Sequence, residues 1–388
     1  MPKTANAIRT YRFDQMASMI NDRVDDPAES GVERYVGLEH LDANSLQIRR
    51  WGDITDVEST KLRFKPGDIV FGKRRVYQRK LAVADFEGIC SAHAMVLRAR
   101  PEVVLPDFLP FFMQSDLFMK RALAISVGSL SPTINWTDLA QQEFVLPPIE
   151  EQHRLASALK ASAVNEQAMR TCDLAAQALV VAVRHAVIPE PSETGTYCIG
   201  DFARHKVDKV ALSSVPEFRL CGVYSFGRGL IDRGTTLPEN TQYQYMHRIK
   251  SGTVVLSKLK AWEGAIAVAS CDFEGSLASP EYPTFELDRS TVLPEFMDQV
   301  CRSPWFWHKI LQRCKGTADR RSRIHPQEFL KVPFPKLSIA QQMAAVDRVA
   351  ESMTSARTIA SRYERSKGVT RDLVEFALLG GKAKEPQE

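Results

Sequence analysis

The sequence predicts an α+β protein: two pseudo-symmetric mixed α/β domains joined by two long helices packed as an antiparallel coiled coil. Three observations carry this. The chain repeats itself once along its length, each repeat ends in a long proline-free stretch, and those stretches carry apolar residues at helical spacing. Composition agrees. The 388 residues are 44% hydrophobic and 25% charged, ordinary values for a globular protein of two or three domains. The formal net charge of +4 permits a nucleic-acid partner without demanding one.

The repeat is read from motifs in one order. KPGDIVFGKRR at 65–75 aligns with KSGTVVLSKLK at 250–260, placing Gly67 on Gly252 and Lys73 on Lys258. DFEG occurs at 85–88 and 272–275, and LPDFL at 105–109 matches LPEFM at 293–297. GSLSPTI from 128 matches GTADRRSRI from 316, and LPPIEEQ from 146 matches FPKLSIAQQ from 334.

The domain order follows: a first mixed domain at 1–147, a first helix at 148–190, a second mixed domain at 191–336, a second helix at 337–381 and a tail at 382–388. Each mixed domain holds short β-type runs, such as AMVLRA, VVLS, AIAVAS and PTFEL, between Gly, Pro and Asp turns. Helical patches accompany them, as at 106–124. In the second long helix, Val346, Val349, Met353, Ala356, Ala360 and Tyr363 keep a 3-4 spacing, the seam of a coiled coil. In the first, Leu155 and Leu159 open a seam and Ala176, Val180, Val183 and Val187 close it. Its middle, at Ser162 and Glu166, breaks the apolar pattern. Pro189 and Pro191 stop the first helix, and Gly380-Gly381 the second.

GDIVFGKRR at 67–75 fits seven of eight positions of a phosphate-binding loop, but Arg74 stands where a hydroxyl should hold magnesium. The second copy carries Ser257 for Gly72 and loses the glycine pattern. What both copies keep is an alternating apolar run after a tight turn, which is a β-strand. The seven cysteines lie singly with no CxxC pair, so neither a disulfide framework nor a structural zinc site is expected. No metal-spaced histidine pair and no catalytic constellation survives in both copies. No signal-peptide core or membrane-length apolar run appears, and a reducing cytoplasm is the expected setting.

The basic clusters are the candidate binding surface. Lys73, Arg74, Arg75, Tyr77, Gln78, Arg79 and Lys80 crowd eight positions. Arg suits guanine edges, Gln adenine and Lys phosphate. Lys258, Lys260 and Trp262 take the equivalent place in the second copy, with Arg320, Arg321 and Arg323 in the loop opposite Ser129–Pro132. For His40, Asn135 and Trp136 a DNA-facing role and a turn or core role both stay open.

The layout resembles the specificity subunit of Type I restriction–modification systems. The resemblance spans essentially the whole chain. It is carried most specifically by 65–99, by GSLSPTINWTDLAQQEFVLPPIEEQHRLASAL at 128–159, and by PFPKLSIAQQ in the second copy. It implies two target-recognition domains, each reading one half of a split asymmetric sequence in double-stranded DNA. It implies helices that set the half-site spacing and dock two adenine-methylating subunits, with restriction subunits completing an ATP-driven endonuclease. S-adenosylmethionine, ATP and magnesium would then sit on partner subunits, this chain binding no cofactor and catalysing nothing itself. The second copy departs from the pattern at Ser257-Lys-Leu-Lys, as two domains reading different bases require. FPKLSIAQQ is also longer than LPPIEEQ, which leaves the start of the second helix open. Two alternatives stay beside this reading: the specificity subunit of a Type IIB-like system, and a coiled-coil scaffold that does not touch DNA.

Overall fold

A computed structural model of the chain describes residues 9–191, 196–315 and 322–378. Its contacts fall into two compact units, 1–171 with 361–388 and 172–360.

The strands of unit 1 are β1 (Arg9–Arg12), β2 (Ala17–Ile20), β3 (Arg23–Val24), β4 (Arg34–Val36), β5 (Gly52–Asp53), β6 (Lys61–Phe64), β7 (Ile69–Gly72), β8 (Leu81–Val83), β9 (Gly88–Cys90), β10 (Ala94–Ala99) and β11 (Glu143–Leu146). Those of unit 2 are β12 (Thr196–Cys198), β13 (Ala203–His205), β14 (Lys209–Ala211), β15 (Phe218–Val223), β16 (Leu230–Thr236), β17 (Tyr245–Arg248), β18 (Val254–Leu256), β19 (Ile266–Val268), β20 (Leu277–Ala278), β21 (Thr284–Leu287) and β22 (Pro333–Pro335). Among the described residues, unit 1 forms sheets ordered β1-β11, β2-β10-β7-β8 and β3-β6-β9-β4-β5. Unit 2 forms β12-β22, β13-β21-β18-β19 and β14-β17-β20-β15-β16. Adding eleven to each unit 1 strand number gives its unit 2 counterpart. Even the parallel pair recurs, β4 on β9 and β15 on β20. The duplication seen in the sequence is a duplication of topology.

The central strand β7 shows why its sequence is an unbroken apolar run. All of Ile69–Gly72 is buried. Ile69 and Phe71 face a helical core containing Phe13, Phe112, Phe118 and Phe144, while Val70 faces a second core with Val36, Phe64 and Val96. Strands covered on both faces lose the polar alternation. In unit 2, Val254 and Leu256 face one core and Val255 the other.

The helices are α1 (Phe13–Met16), α2 (Leu109–Gln114), α3 (Asp116–Ala124), α4 (Trp136–Ala140), α5 (Ile149–Val187), α6 (Pro294–Cys301), α7 (Pro304–Leu311), α8 (Pro326–Phe329), α9 (Ile339–Ser366) and α10 (Val369–Leu378). Proline sits in the first turn of α6, α7 and α8, where no amide partner is lost. Ser115 caps α3 by accepting from the Phe118 amide at 3.2 Å.

The two long stretches are helical, and several of the expected seam residues pack on the domain cores. The 39 residues of α5 extend about 60 Å at about 1.5 Å per residue. Within unit 1, Leu155 and Leu159 pack on the Phe112–Phe118 core, together with Ala156 and Val374 of α10. The polar middle of α5 has partners there. Thr370 Oγ1 lies 3.0 Å from Ser162 Oγ, and Lys367 acts on Glu166, whose carboxyl burial nonetheless pushes up. Rising positions on α5 meet falling positions on the later segment, so the two run antiparallel within unit 1. In unit 2, Val180, Val183, Met353 and Ala360 are half-buried, Val349 is fully buried, and Val346 packs against the core of Phe285 and Phe334.

The sequence expectation of one helix over 337–381 differs from the structure. Gly368 adopts φ +82° and divides α9 from α10, a conformation open to glycine and costly to residues with a Cβ. The expected Gly380-Gly381 stop and the 382–388 tail lie outside the described residues.

Candidate nucleic-acid interface

The 65–75 segment enters β7 through a turn. Gly67 has φ +89°, and Asp68 accepts from the Lys65 amide at 2.8 Å. Asp68 is almost fully buried and is held by Arg98 through two bonds of 2.7 and 3.0 Å. The Gly72 amide donates to Lys80 O at 2.9 Å and the Lys73 amide to His93 O at 3.1 Å. Amides that a phosphate loop would present are thus spent in the sheet, and the segment is a strand, not a P-loop.

Beyond β7 the chain turns sharply. Arg75 and Arg79 both adopt left-handed backbone, φ 57° and 52°, and bracket the short turn Val76–Gln78. Such strain in non-glycine residues persists only where surroundings fix it. The Arg75 amide donates to Pro132 O at 2.7 Å, and its side chain reaches Ser131 Oγ at 3.3 Å. The turn throws Tyr77 outward, 54% exposed. Arg74 meets His93 Nε2 at 3.3 Å. The loop 126–133, pinned by the Val127–Thr133 bridge, lies beside these arginines with Leu130 at 90% exposure.

Not all seven predicted residues face out. Arg79 donates to Asp116 at 2.8 Å, to Asn44 at 2.9 Å and to the Gln114 carbonyl. Lys80 Nζ donates to Leu38 O at 2.7 Å. These two side chains tie the turn to α3 and to the segment before β5. Lys73 and Gln78 are half-buried. His40 accepts from the Gly37 amide at 3.0 Å, Asn135 stands at the start of α4, and Trp136 packs against the core.

Unit 2 repeats the arrangement. The Ile324 amide donates to Lys258 O as the Ile134 amide does to Lys73 O, each at 3.0 Å. The Lys315–Arg323 bridge stands for Val127–Thr133. Lys258 Nζ donates to Pro280 O at 2.9 Å, and Arg323 pairs with Glu281 at 3.2 Å. Lys260 pairs with Glu263 at 2.9 Å and lies over the ring of Trp262, whose indole donates to Leu259 O at 2.9 Å. Arg320 and Arg321 lie outside the described residues.

Lys258 and Arg323 share a cleft of about 550 Å³ with His205, Lys209, Tyr245, His247, Lys315 and His325. Sequence reasoning singled out only the first two. The others come from separate strands and loops, and no local motif marks them. Burial lowers the proton affinity of His205 and of His247, with nearby positive charge adding to it. A larger cavity of about 740 Å³ in unit 1 lies elsewhere, against α5, and mixes Arg49 and Lys160 with Asp42 and Glu166. Its mixed charge does not suit a polyanion.

Each unit thus carries basic residues at the end of an equivalent central strand, β7 in one and β18 in the other. Residues 47–164 match the model of the Type I restriction modification DNA specificity domain. Over 157 residues the chain is 27% identical to the Type I restriction enzyme EcoDI specificity subunit of Escherichia coli, covering 40% of this chain. That match spans about a third of the relative's length, 34%. Two solved structures share the fold. One, describing complex assembly and conformational transition of the type I R-M system, has TM-score 0.63 and 15% identity, covering 98% of this chain and 100% of that one. The other, the Type-I restriction-modification system S subunit from M. genitalium, has TM-score 0.54 and 14% identity, covering 97% of each. The similarity to Type I restriction–modification specificity subunits is thus one of sequence over residues 47–164 and one of fold over nearly the whole chain. Among the described residues no helix is long and apolar enough to cross a membrane.

Proposed function

We propose that this chain is the DNA-reading subunit of a Type I restriction–modification complex. Each unit reads one half of a bipartite target in double-stranded DNA. The observation that carries this is the recurrence, at the same place in both units, of a basic strand end beside a bridged loop: Lys73–Tyr77 with 126–133, and Lys258–Lys260 with Lys315–Arg323. Lysines and arginines neutralise phosphates, while a differing side-chain set at equivalent positions suits two different half-sites. In unit 1 the contacting set narrows to Lys73, Arg74, Arg75, Tyr77 and Gln78, because Arg79 and Lys80 serve the fold. The helices α5 and α9 set the half-site spacing and dock two adenine-methylating subunits, and restriction subunits join these. The chain is not itself an enzyme. S-adenosylmethionine, ATP and magnesium belong to the partners, and the assembly works in the cytoplasm.

The test is co-expression with the methyltransferase subunit in a methylation-free host, followed by genome-wide mapping of modified adenines. A single split motif with a fixed gap is expected. No modified adenine, with the methyltransferase folded and bound, would overturn the reading.

A further inference from the structure

The two units share a framework, yet the unit 2 cleft has a chemistry that unit 1 lacks. Sheet register sets the equivalences. His205 pairs with Phe285 as Met19 pairs with Leu97, and His247 pairs with Ala278 as Leu62 pairs with Cys90. His325 follows Ile324 as Asn135 follows Ile134. Three imidazoles therefore replace a methionine, a leucine and an asparagine, around the lysine that both units keep.

The cleft is strongly cationic. Lys209, Lys258, Lys315 and Arg323 line it, and among the described residues none of its lining side chains is acidic. Glu281 offsets Arg323 from one side at 3.2 Å. Glu286 is engaged by Lys206 at 2.8 Å, and Asp208 by Arg248 at 3.8 Å and by Lys250 at 3.4 Å. Lys209 Nζ sits 4.9 Å over the Tyr245 ring, which stacks at 6.3 Å on His247.

We propose that this cleft is a seat for one phosphate group, held by Lys258, Lys315 and Arg323 and completed by the imidazoles of His205, His247 and His325. The proposal rests on the DNA reading for its source, a backbone phosphate, although free inorganic phosphate has the same chemistry.

The seat is proton-coupled. His247 Nδ1 faces Tyr282 O at 3.0 Å and donates to it. Its Nε2 in the neutral ring is an acceptor and repels an oxyanion until it takes a proton. His325 Nδ1 accepts from the Gln327 amide at 3.2 Å, which puts its proton on Nε2. His205 and His247 resist charging in the empty cleft because burial and the neighbouring cations oppose it. A bound phosphate anion reverses that opposition, so binding takes up protons and strengthens as pH falls. Unit 1 has no such coupling at its equivalent positions.

The test exchanges the unit 2 residues for their unit 1 counterparts in the full chain: His205→Met, His247→Leu and His325→Asn. The pair His205→Met and His325→Asn, which leaves the buried His247 in place, guards against misfolding of the triple variant. In one arm, inorganic phosphate is titrated while the imidazole Cε1 proton resonances are followed. In the other, a fluorescent DNA duplex is titrated near pH 6 and pH 8 at fixed low ionic strength. The expected result is resonance shifts with phosphate and DNA affinity rising by about tenfold per pH unit at most for each proton taken up, a dependence reduced in both variants. Imidazoles indifferent to phosphate, with equal pH slopes for wild type and variants, would overturn the seat while leaving DNA binding intact. Imidazoles that respond to phosphate in a chain that binds no duplex at any pH would support the seat and overturn the DNA reading instead.

Discussion

Gln152 and Gln342 do the same work in different units. Gln152 Oε1 accepts from the Leu105 amide at 2.9 Å, and Gln342 Oε1 from the Leu293 amide at 2.9 Å. Gln152 Nε2 donates to the carbonyls of Val103 and Pro147, and Gln342 Nε2 to those of Thr291 and Leu337. Both side chains are 1% exposed. Each clamps the start of a long helix to the segment leading into α2 or α6. Replacing either with leucine strands buried backbone groups, and a loss of about 2–4 kcal/mol in that unit is expected. Segment-resolved hydrogen exchange checks it. Gln152→Leu should raise exchange at 103–105 and leave 291–293 unchanged, and Gln342→Leu the reverse.

Arginines only a few positions apart should separate by role. Arg75→Ala removes an exposed guanidinium, so DNA affinity and its salt slope fall while melting temperature stays nearly constant. Arg79→Ala breaks contacts to Asp116 and Asn44 and costs about 1–3 kcal/mol of stability. Paired anisotropy and thermal melts decide. Equal effects of both variants on both readouts would refute the division.

Leu130, at 90% exposure, makes no packing contribution worth keeping for the fold. Leu130→Ala is expected to change stability by less than about 0.5 kcal/mol. Its loop flanks Arg75, so the same variant should weaken duplex binding in the anisotropy assay.

Unit 2 should lose stability in mild acid. His205 and His247 bind protons more weakly folded than unfolded, where the ordinary value is 6.5. The unfolded chain therefore takes up more protons as pH drops through that value, and the folded state is disfavoured. Their contribution is full above pH 6.5 and declines below it. Melting at pH near 7.5 and near 5.5 should show a fall in wild type and a smaller fall in His247→Leu.

The thiols sort by burial. Cys90 and Cys221 are pushed up to about 12 by burial, and Cys301 is raised in the same direction. Cys172, Cys198 and Cys271 are exposed. A native-state thiol titration should show three fast sites, a slower one at half-buried Cys314, and the three buried ones only on unfolding.

The fold was legible because it was written twice. The single run Ile69–Phe71 is ambiguous, but its pairing with Val254–Leu256 exposed a strand and discounted the phosphate loop. Repetition also placed Lys258 opposite Lys73. The cleft histidines were not legible. His205, His247 and His325 are brought together only by sheet register, and nothing local distinguishes each from an ordinary strand or cap histidine. Arg79 was misleading for the opposite reason: it shares a basic run with the exposed Arg75 and Tyr77, while left-handed backbone turns its side chain toward Asp116. The break in the second helix hung on Gly368, since a lone glycine in a helical pattern is often tolerated.

Unit 1 closes with residues made long after its own sheets. Val374, 1% exposed, fills the Phe118 core, and Glu375 accepts from the Asp116 amide at 3.2 Å. Unit 2 is continuous from 172 to 360. On a ribosome delivering residues N-terminal first, unit 2 can finish folding as soon as it emerges. Unit 1, although synthesised earlier, stays incomplete until 361–378 arrives. The nascent chain thus matures in the reverse of its order of translation, and the earlier-made half is the one exposed to chaperones and proteases in the interval.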